Sequence, residues 1–405
     1  RFNAKIHAFL SERGIPGSVI YHNTYSDEKA NDKNIFAQVN YNQPISKKWQ
    51  FQANAKANQT SLRDWGLNLN SQYRQHEYYL NATLLYTLSE KCSFSWANDA
   101  IRSDIQSRFN ISNNEVFAAR NTWLSSLAGK YETERLTATA RLLYQQTAEE
   151  NFAYSHLSPY LALSMKVFQS LSARIFYKNT YRIPTFGDIY YPSIPNLNLK
   201  AENARQFNLG TTWDTGFAQK RGRFSLSADV YFNRIDNKII SQPHYSMIIW
   251  TSVNYGKVDI KGVDFRMDAM FQLKKNFSVE ANVNYTCQDV RDKTTEINYQ
   301  HYNAHLPLTP RHIANSSASL QTPWFNFHYN WMYSGARYTN QSNLFDYWLK
   351  PYSEHGFSLS YPFVYHKISG QIALECLNLW NTQYNVIPNY PMPGRSFRLG
   401  IKMTY

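Results

Sequence analysis

No stretch of this 405-residue chain approaches the roughly 18 unbroken apolar residues that a membrane-spanning helix needs, which excludes a helical membrane protein. Cysteine is scarce. Cys92, Cys287 and Cys376 are far apart and odd in number, so they form no CxxC pair and no disulfide framework, and leave the redox compartment open. The chain also lacks GxSxG, HExxH, Walker A and GxGxxG motifs and any close Cys–His arrangement, so no enzyme is expected. The net charge is +13, yet no Lys/Arg run reaches five, and neither an RRM-type nor a zinc-finger pattern accompanies it. Nucleic acid is therefore not the expected partner. No long segment shows the 3.6-residue period of a helix.

Aromatic residues, by contrast, are abundant. They make up 16% of the chain, with 31 Tyr, 24 Phe and 10 Trp, alongside a mean hydropathy of −0.55. A ring-rich, water-liking chain of this kind is not disordered. Its dominant pattern is strict alternation. Trp49, Phe51, Ala53, Ala55 and Ala57 alternate with Gln50, Gln52, Asn54 and Lys56; Phe277, Val279, Ala281, Val283 and Tyr285 alternate with Ser278, Glu280, Asn282 and Asn284; Phe397, Leu399, Ile401 and Met403 alternate with Ser396, Arg398, Gly400 and Lys402. Successive strand residues point to opposite faces, so each segment has one apolar and one polar face. About eighteen such segments are predicted, near 1–11, 34–41, 49–57, 77–88, 92–98, 121–131, 135–144, 157–166, 171–178, 206–213, 223–240, 250–271, 277–288, 311–320, 325–333, 354–361, 367–378 and 397–405. Nine to eleven residues at about 3.3 Å each match the bilayer core.

A soluble sandwich would also alternate, but its connections would not be sorted by length. Here they are: 12–33, 58–76, 99–120, 179–205, 289–310, 334–353 and 379–396 are long, and those between, such as 42–48, 89–91 and 132–134, are short. All long connections then fall on one rim, the layout of an outer-membrane barrel with extended outer loops and tight periplasmic turns. Closure follows because unpaired backbone groups cannot survive in hydrocarbon. Lys5, Lys56, Arg141, Arg174, Asp229, Glu280, Arg398 and Lys402 sit on the polar parity, where they face the lumen. The positive excess falls mainly on strands, so a basic lumen is expected. The expected fold is all-β: a transmembrane antiparallel β-barrel. Arg1 to Leu10 already alternates, so residues 1–405 are expected to be the C-terminal part of a larger barrel, with its first strands and an N-terminal plug elsewhere.

Several motifs, in order along nearly the whole chain, resemble those of TonB-dependent outer-membrane receptors. The stretch Tyr181-Arg182-Ile183-Pro184-Thr185-Phe186-Gly187-Asp188-Ile189-Tyr190-Tyr191, with Ile194-Pro195-Asn196-Leu197 and Lys200-Ala201-Glu202-Asn203, is similar to that family's Arg-x-Pro-x-Phe-x-Asp/Glu-x-Tyr box. Ile194 and Ala201 depart from the Asn and Pro of its second half. Asn378-Leu379, Asn381, Tyr384 and Tyr390-Pro391-Met392-Pro393-Gly394-Arg395 resemble its last loop, and Arg398-x-Gly400-x-x-Met403-x-Tyr405 its aromatic-terminated closing strand. The resemblance implies a 22-stranded barrel of which about 18 strands are here, seated in the outer membrane of a Gram-negative bacterium among lipid and lipopolysaccharide. It also implies energised import of a scarce large solute, with TonB acting through an N-terminal segment and plug not in this sequence, and room for a surface lipoprotein partner.

Cobalamin is the first expectation for the solute, because Glu12-Arg13-Gly14-Ile15-Pro16-Gly17 and Asn254-x-Gly256-Lys257 resemble cobalamin-type receptors of the Bacteroidetes. Ferric siderophores come next, then haem. A passive, anion-favouring porin-like channel is the alternative class. Ligand contacts are expected from outer-loop rings: Tyr190, Tyr191, Tyr245, Trp250, Tyr302, Tyr338, Phe345, Tyr347 and Trp348. By the resemblance, Arg182, Pro184, Phe186, Asp188, Gly394, Arg395 and Tyr405 are structural, Arg395 fixing the last loop to the wall. No resident cofactor is called for. Asp27, Glu28 and Asp32 offer oxygen ligands for Ca²⁺ without EF-hand spacing, and His301-x-x-x-His305 with Tyr302 offers ligands for iron or another metal.

Overall fold

A computed structural model describes residues 1–14, 29–65, 70–108, 115–150, 152–190, 196–217, 221–243, 250–294, 302–344, 348–366 and 368–404. In chain order its strands are β1 (Phe2–Gly14), β2 (Lys29–Pro44), β3 (Trp49–Trp65), β4 (Asn70–Thr87), β5 (Cys92–Arg108), β6 (Glu115–Glu132), β7 (Leu136–Glu149), β8 (Phe152–Lys166) and β9 (Leu171–Arg182). The short helix α1 (Phe186–Tyr190) follows. Then come β10 (Glu202–Phe217), β11 (Gly222–Pro243), β12 (Trp250–Lys274), β13 (Phe277–Asp292), β14 (His312–Gln321) and β15 (Asn326–Ser334). The last are β16 (Arg337–Tyr338), β17 (Trp348–Leu349), β18 (Tyr352–Tyr365), β19 (Ile368–Leu377), β20 (Asn385–Ile387), β21 (Tyr390–Pro391) and β22 (Ser396–Thr404). Eighteen strands belong to one sheet, and β16–β17 and β20–β21 form separate two-stranded ladders. Each of the eighteen alternating segments coincides with one strand of the large sheet.

The strands run further than alternation indicates. The connection expected at 58–76 shrinks to 66–69, because β3 and β4 stay paired as far as Trp65 and Asn70. That expected at 99–120 shrinks to 109–114, with Arg108 opposite Glu115. Beyond the bilayer both faces of a hairpin meet water, so the hydrophobic alternation fades while the hydrogen-bond ladder continues. At the opposite rim the turns stay tight, as at Pro44–Trp49 and Thr87–Cys92.

By packing, the chain divides into two compact units: Arg1–Ser164, Phe176–Gln206 and Arg234–Lys257 form the first, and Met165–Ile175, Phe207–Asn233 and Val258–Tyr405 the second. In the second unit, register places Phe271, Val279, Leu320, Phe327, Leu359, Leu374 and Leu399 in one unbroken row across seven strands. One residue along, the row reads Met270, Glu280, Ser319, His328, Ser358, Glu375 and Arg398. A step of one flips every side chain to the other face, so the apolar row and the largely polar row line opposite faces. The apolar row is not a protein core: Leu374 is 44% and Leu399 69% exposed. A contiguous exposed apolar face of this size is made for lipid.

The first unit repeats the arrangement with Phe51, Leu84, Trp96, Leu127 and Leu142 in one row. On its polar face, Lys5 and Lys56 hold their ammonium groups 5.4 and 5.0 Å from the Phe36 ring, with His7 stacked on the same ring. In the second unit, Arg174 pairs with Asp229 and donates to Thr212 at 2.7 Å. Residues 15–28, with Asp27 and Glu28, lie outside the described residues, as does Tyr405.

Leu374→Arg places a cation in the apolar row and is expected to cost about 2–4 kcal/mol if that row lies near the bilayer midplane. Ser358→Arg, on the polar row, is expected to be tolerated. The proportion of heat-modifiable folded protein on unheated denaturing gels checks both; equal yields from the two variants would reverse the assignment of faces.

Candidate functional site

The turns after β2, β4, β6 and β8 are tight, so the C-terminal end of β9 and the N-terminal end of β10 lie at the opposite, outer rim. There the segment from Arg182 to Glu202 is pinned by a compact polar network. Pro184 fixes the entry to α1, and Thr185 and Asp188 make a reciprocal cap: the Asp188 N–H donates to Thr185 Oγ1 at 3.0 Å, and the Thr185 N–H to Asp188 Oδ2 at 2.8 Å. Arg182 ties this cap to the strands. Its Nη1 meets the same Asp188 oxygen at 2.8 Å, and its Nε meets Glu202 Oε2 at 2.8 Å. Glu202, in turn, accepts from Lys238 Nζ at 3.1 Å and from the Ile239 N–H. One carboxylate therefore joins β9, β10 and β11.

A second ion pair lies beneath. Arg120 of β6 donates from Nε and Nη2 to Glu149 of β7 at 2.9 and 2.7 Å, and from Nη1 to the Pro184 carbonyl at 2.8 Å. Its guanidinium lies 4.7 Å from the centre of the Phe186 ring. Both side chains are nearly sealed from solvent, at 10% and 5% exposure. Phe186, Ile189 and Tyr190 pack with Ile105, Ala118, Leu199 and Ile239, the buried apolar cluster of this unit.

Tyr190, expected among the ligand-contacting rings, is corrected by this packing. It is 8% exposed, and its hydroxyl donates to Glu149 Oε1 at 3.3 Å. Burial, reinforced by the nearby Glu149 charge, pushes the phenol up to about 12, so it remains a donor at physiological pH. Tyr190 holds the helix down. Tyr191, Tyr245, Phe345 and Tyr347 lie outside the described residues, and of Trp250 only the backbone is described, at the start of β12.

The second unit brings three of the expected rings to neighbouring positions. Tyr338 and Trp348 stand opposite one another in the β16–β17 ladder. Tyr338 also stacks on His305, with ring centres 6.0 Å apart, and Tyr302 is exposed beneath the Lys293 ammonium at 5.2 Å. His305 Nδ1 lies 3.6 Å from Asp289 Oδ1, in a cluster with Arg291 and Arg311. Burial and the two arginines push the His305 imidazole down, which favours its neutral form at pH 7. Asp32 is engaged by Arg13 at 2.7 Å, and His301 lies outside the described residues. Among the described residues no three His, Cys, Asp or Glu side chains converge as metal ligands.

The last loop is held differently from the expectation. Arg395 is exposed, and its contact is through the main chain: its N–H donates to Asn381 Oδ1 at 2.9 Å. The fixing residues are Asn378 and Asn381, both at positive φ (49° and 53°). The Asn378 side chain takes the Thr382 N–H and donates to the Thr382 and Pro393 carbonyls. Gly394 sits so close that an added Cβ would lie 2.6 Å from Asn381 Oδ1. Asparagine tolerates left-handed backbone better than other side-chain-bearing residues, the signal that marks these two positions.

The exposed apolar rows, tight turns on one rim and pinned loops on the other define a β-barrel protein of the outer membrane of Gram-negative bacteria. Residues 6–379 match the model of the family described as TonB dependent receptor-like, beta-barrel, and the chain belongs to that family. It is 28% identical over 116 residues to the vitamin B12 transporter BtuB of Vibrio vulnificus, a stretch covering 29% of this chain and 17% of that protein. Its fold is similar to the ferric citrate transporter FecA in its unliganded form (TM-score 0.73, 13% identity, 100% of this chain and 67% of that one). It is also similar to BauA, the ferric preacinetobactin receptor of Acinetobacter baumannii (TM-score 0.70, 13% identity, 99% and 70%). The chain thus spans about two thirds of the length of these solved receptors.

Arg120→Ala strands the Glu149 carboxylate in a nearly sealed site and is expected to cost about 3–5 kcal/mol locally. Tyr190→Phe removes one hydrogen bond, about 1 kcal/mol. Hydrogen exchange of residues 182–202 should accelerate strongly in the first variant and slightly in the second. Unchanged exchange in Arg120→Ala would show that the pair does not hold the segment.

Proposed function

We propose that this chain is the barrel portion of an energy-coupled outer-membrane importer, with cobalamin as its first-choice solute. The family match over residues 6–379 carries the receptor reading. The 116-residue similarity to BtuB is what favours cobalamin. Exposed rings in the second unit, Tyr302 and Trp348 with the half-buried Tyr338 nearby, suit a large rigid solute, because stacking aromatic side chains lose little rotamer freedom on binding. Import would be driven through TonB acting on a plug encoded outside residues 1–405.

Further strands would complete the wall. β1 pairs with β2 along its whole length, yet all but one of its residues are exposed, and every residue of β22 is exposed beside β19. Strands so bare call for neighbours before they can reside in hydrocarbon. The neighbouring ferric-siderophore receptors make an iron chelate the second reading.

The test is equilibrium binding of cyanocobalamin to the complete receptor in detergent, with any surface lipoprotein partner added, beside parallel titrations with ferric siderophores. Binding at or below micromolar concentration, and cellular uptake abolished by a protonophore, are expected. Binding of a ferric siderophore alone would move the chain to the second reading, and a large steady ohmic conductance in planar bilayers would replace both with a passive channel.

A further inference from the structure

The β16–β17 ladder has two faces, and the rings described above occupy one of them. Register sets Tyr338 opposite Trp348 and Arg337 opposite Leu349. Neighbouring strand residues point to opposite faces, so Arg337 projects away from those rings. It reaches the last loop. Arg337 Nη2 donates to the Asn385 carbonyl at 2.7 Å and to the Val386 carbonyl at 3.1 Å, and Nη1 lies 3.5 Å from the Gly335 carbonyl. The guanidinium lies 5.4 Å from the centre of the Tyr352 ring, which stacks on Tyr384 of the same loop with ring centres 4.0 Å apart. The Tyr384 hydroxyl in turn donates to Glu354. The arm that presents Tyr338 and Trp348 is thus fastened from behind.

The residue chosen for this fastening is a costly one. Arg337 is 4% exposed, and among the described residues no carboxylate lies within ion-pair distance of it. Burial pulls its pKa below the ordinary arginine value, yet the guanidinium stays charged at neutral pH. An apolar side chain of similar length would fill the space without that desolvation cost. What the planar fork alone supplies is charge-assisted donation to two successive carbonyls. Those carbonyls belong to β20, whose short ladder with β21 shifts register between Asn385 and Ile387. On the opposite face, Tyr338 stacks on His305, and its carbonyl accepts from the Leu308 N–H at 2.7 Å. One two-residue strand therefore joins the last loop to the segment around His305.

We propose that Arg337 is a positioning residue for solute recognition: by clasping the Asn385 and Val386 carbonyls it sets the placement of Tyr338 and Trp348, so that the last loop governs affinity at rings it does not contribute. The proposal rests on the reading of those rings as a solute surface; the clasp itself does not.

The test uses the complete receptor in detergent and has two arms. In the first, without solute, Arg337→Met should accelerate hydrogen exchange of residues 337–349 and 384–392 at least about ten-fold. Residues 182–202, in the first unit, should exchange as in wild type. Arg337→Lys, which keeps the charge and loses the fork, should fall between the two, and it carries the same comparisons should Arg337→Met not fold. Unchanged exchange in both segments, or acceleration that extends to 182–202, would overturn the clasp. In the second arm, affinity for cyanocobalamin and for ferric citrate is measured in Arg337→Met, Tyr338→Ala and the double variant. Each single change should weaken binding of the recognised solute about ten-fold, and the double variant should be no weaker than the weaker single, because both changes remove one placed ring. Additive losses, about a hundred-fold together, or full affinity in Arg337→Met, would overturn the positioning role. Binding of neither probe by wild type would count against the solute reading alone, and the exchange arm would then decide whether Arg337 holds the arm.

Discussion

Inside hydrocarbon the main chain has no water to bond, so each N–H and C=O must find a partner in a neighbouring strand. The rest of this molecule depends on that constraint. It forces long ladders, and ladders impose a two-residue period on the side chains. The seven-strand row from Phe271 to Leu399 and the polar row beside it are the consequence: lipid sorts one parity, water the other. Charges on the polar parity then find local satisfaction, as Arg174 does with Asp229 and as Lys5 and Lys56 do over Phe36.

At the outer rim the constraint relaxes and different chemistry takes over. Connections can no longer rely on the ladder, so they are held by buried ion pairs and side-chain-to-backbone bonds. Arg120 and Glu149 bridge two strands and hold the Pro184 carbonyl. Asn378 and Asn381 do similar work for the last loop without charge. Breaking a sealed pair costs more than its net stabilisation, because the abandoned charge stays buried. Such anchors therefore make the rim specific in shape rather than merely stable.

Much of this was legible in the residues. Alternation is a local property, so all eighteen long strands could be read from it, and the Arg182–Asp188 pair fell inside one motif. Four features were not legible. The ladder's extension past the bilayer leaves no hydrophobic signature, so residues 58–65 and 99–108 read as loop. Arg120 and Glu149 are 29 positions apart on different strands and meet only through register. Tyr190 was misread because a ring in a loop looks the same whether it faces a solute or, as here, closes over a buried carboxylate. Arg395 was credited with an anchoring role that neighbouring asparagines perform, since the bonds that Asn378 and Asn381 make across the loop show only in three dimensions.

The tall hairpins have a mechanical consequence. A ladder that continues to Trp65 and Asn70, or to Arg108 and Glu115, shares its bonds with both neighbours, so bending one hairpin means bending the palisade. These walls behave as stiff staves. A load on one loop is therefore carried sideways through the hydrogen bonds into the neighbouring strands, and not absorbed by a single hairpin.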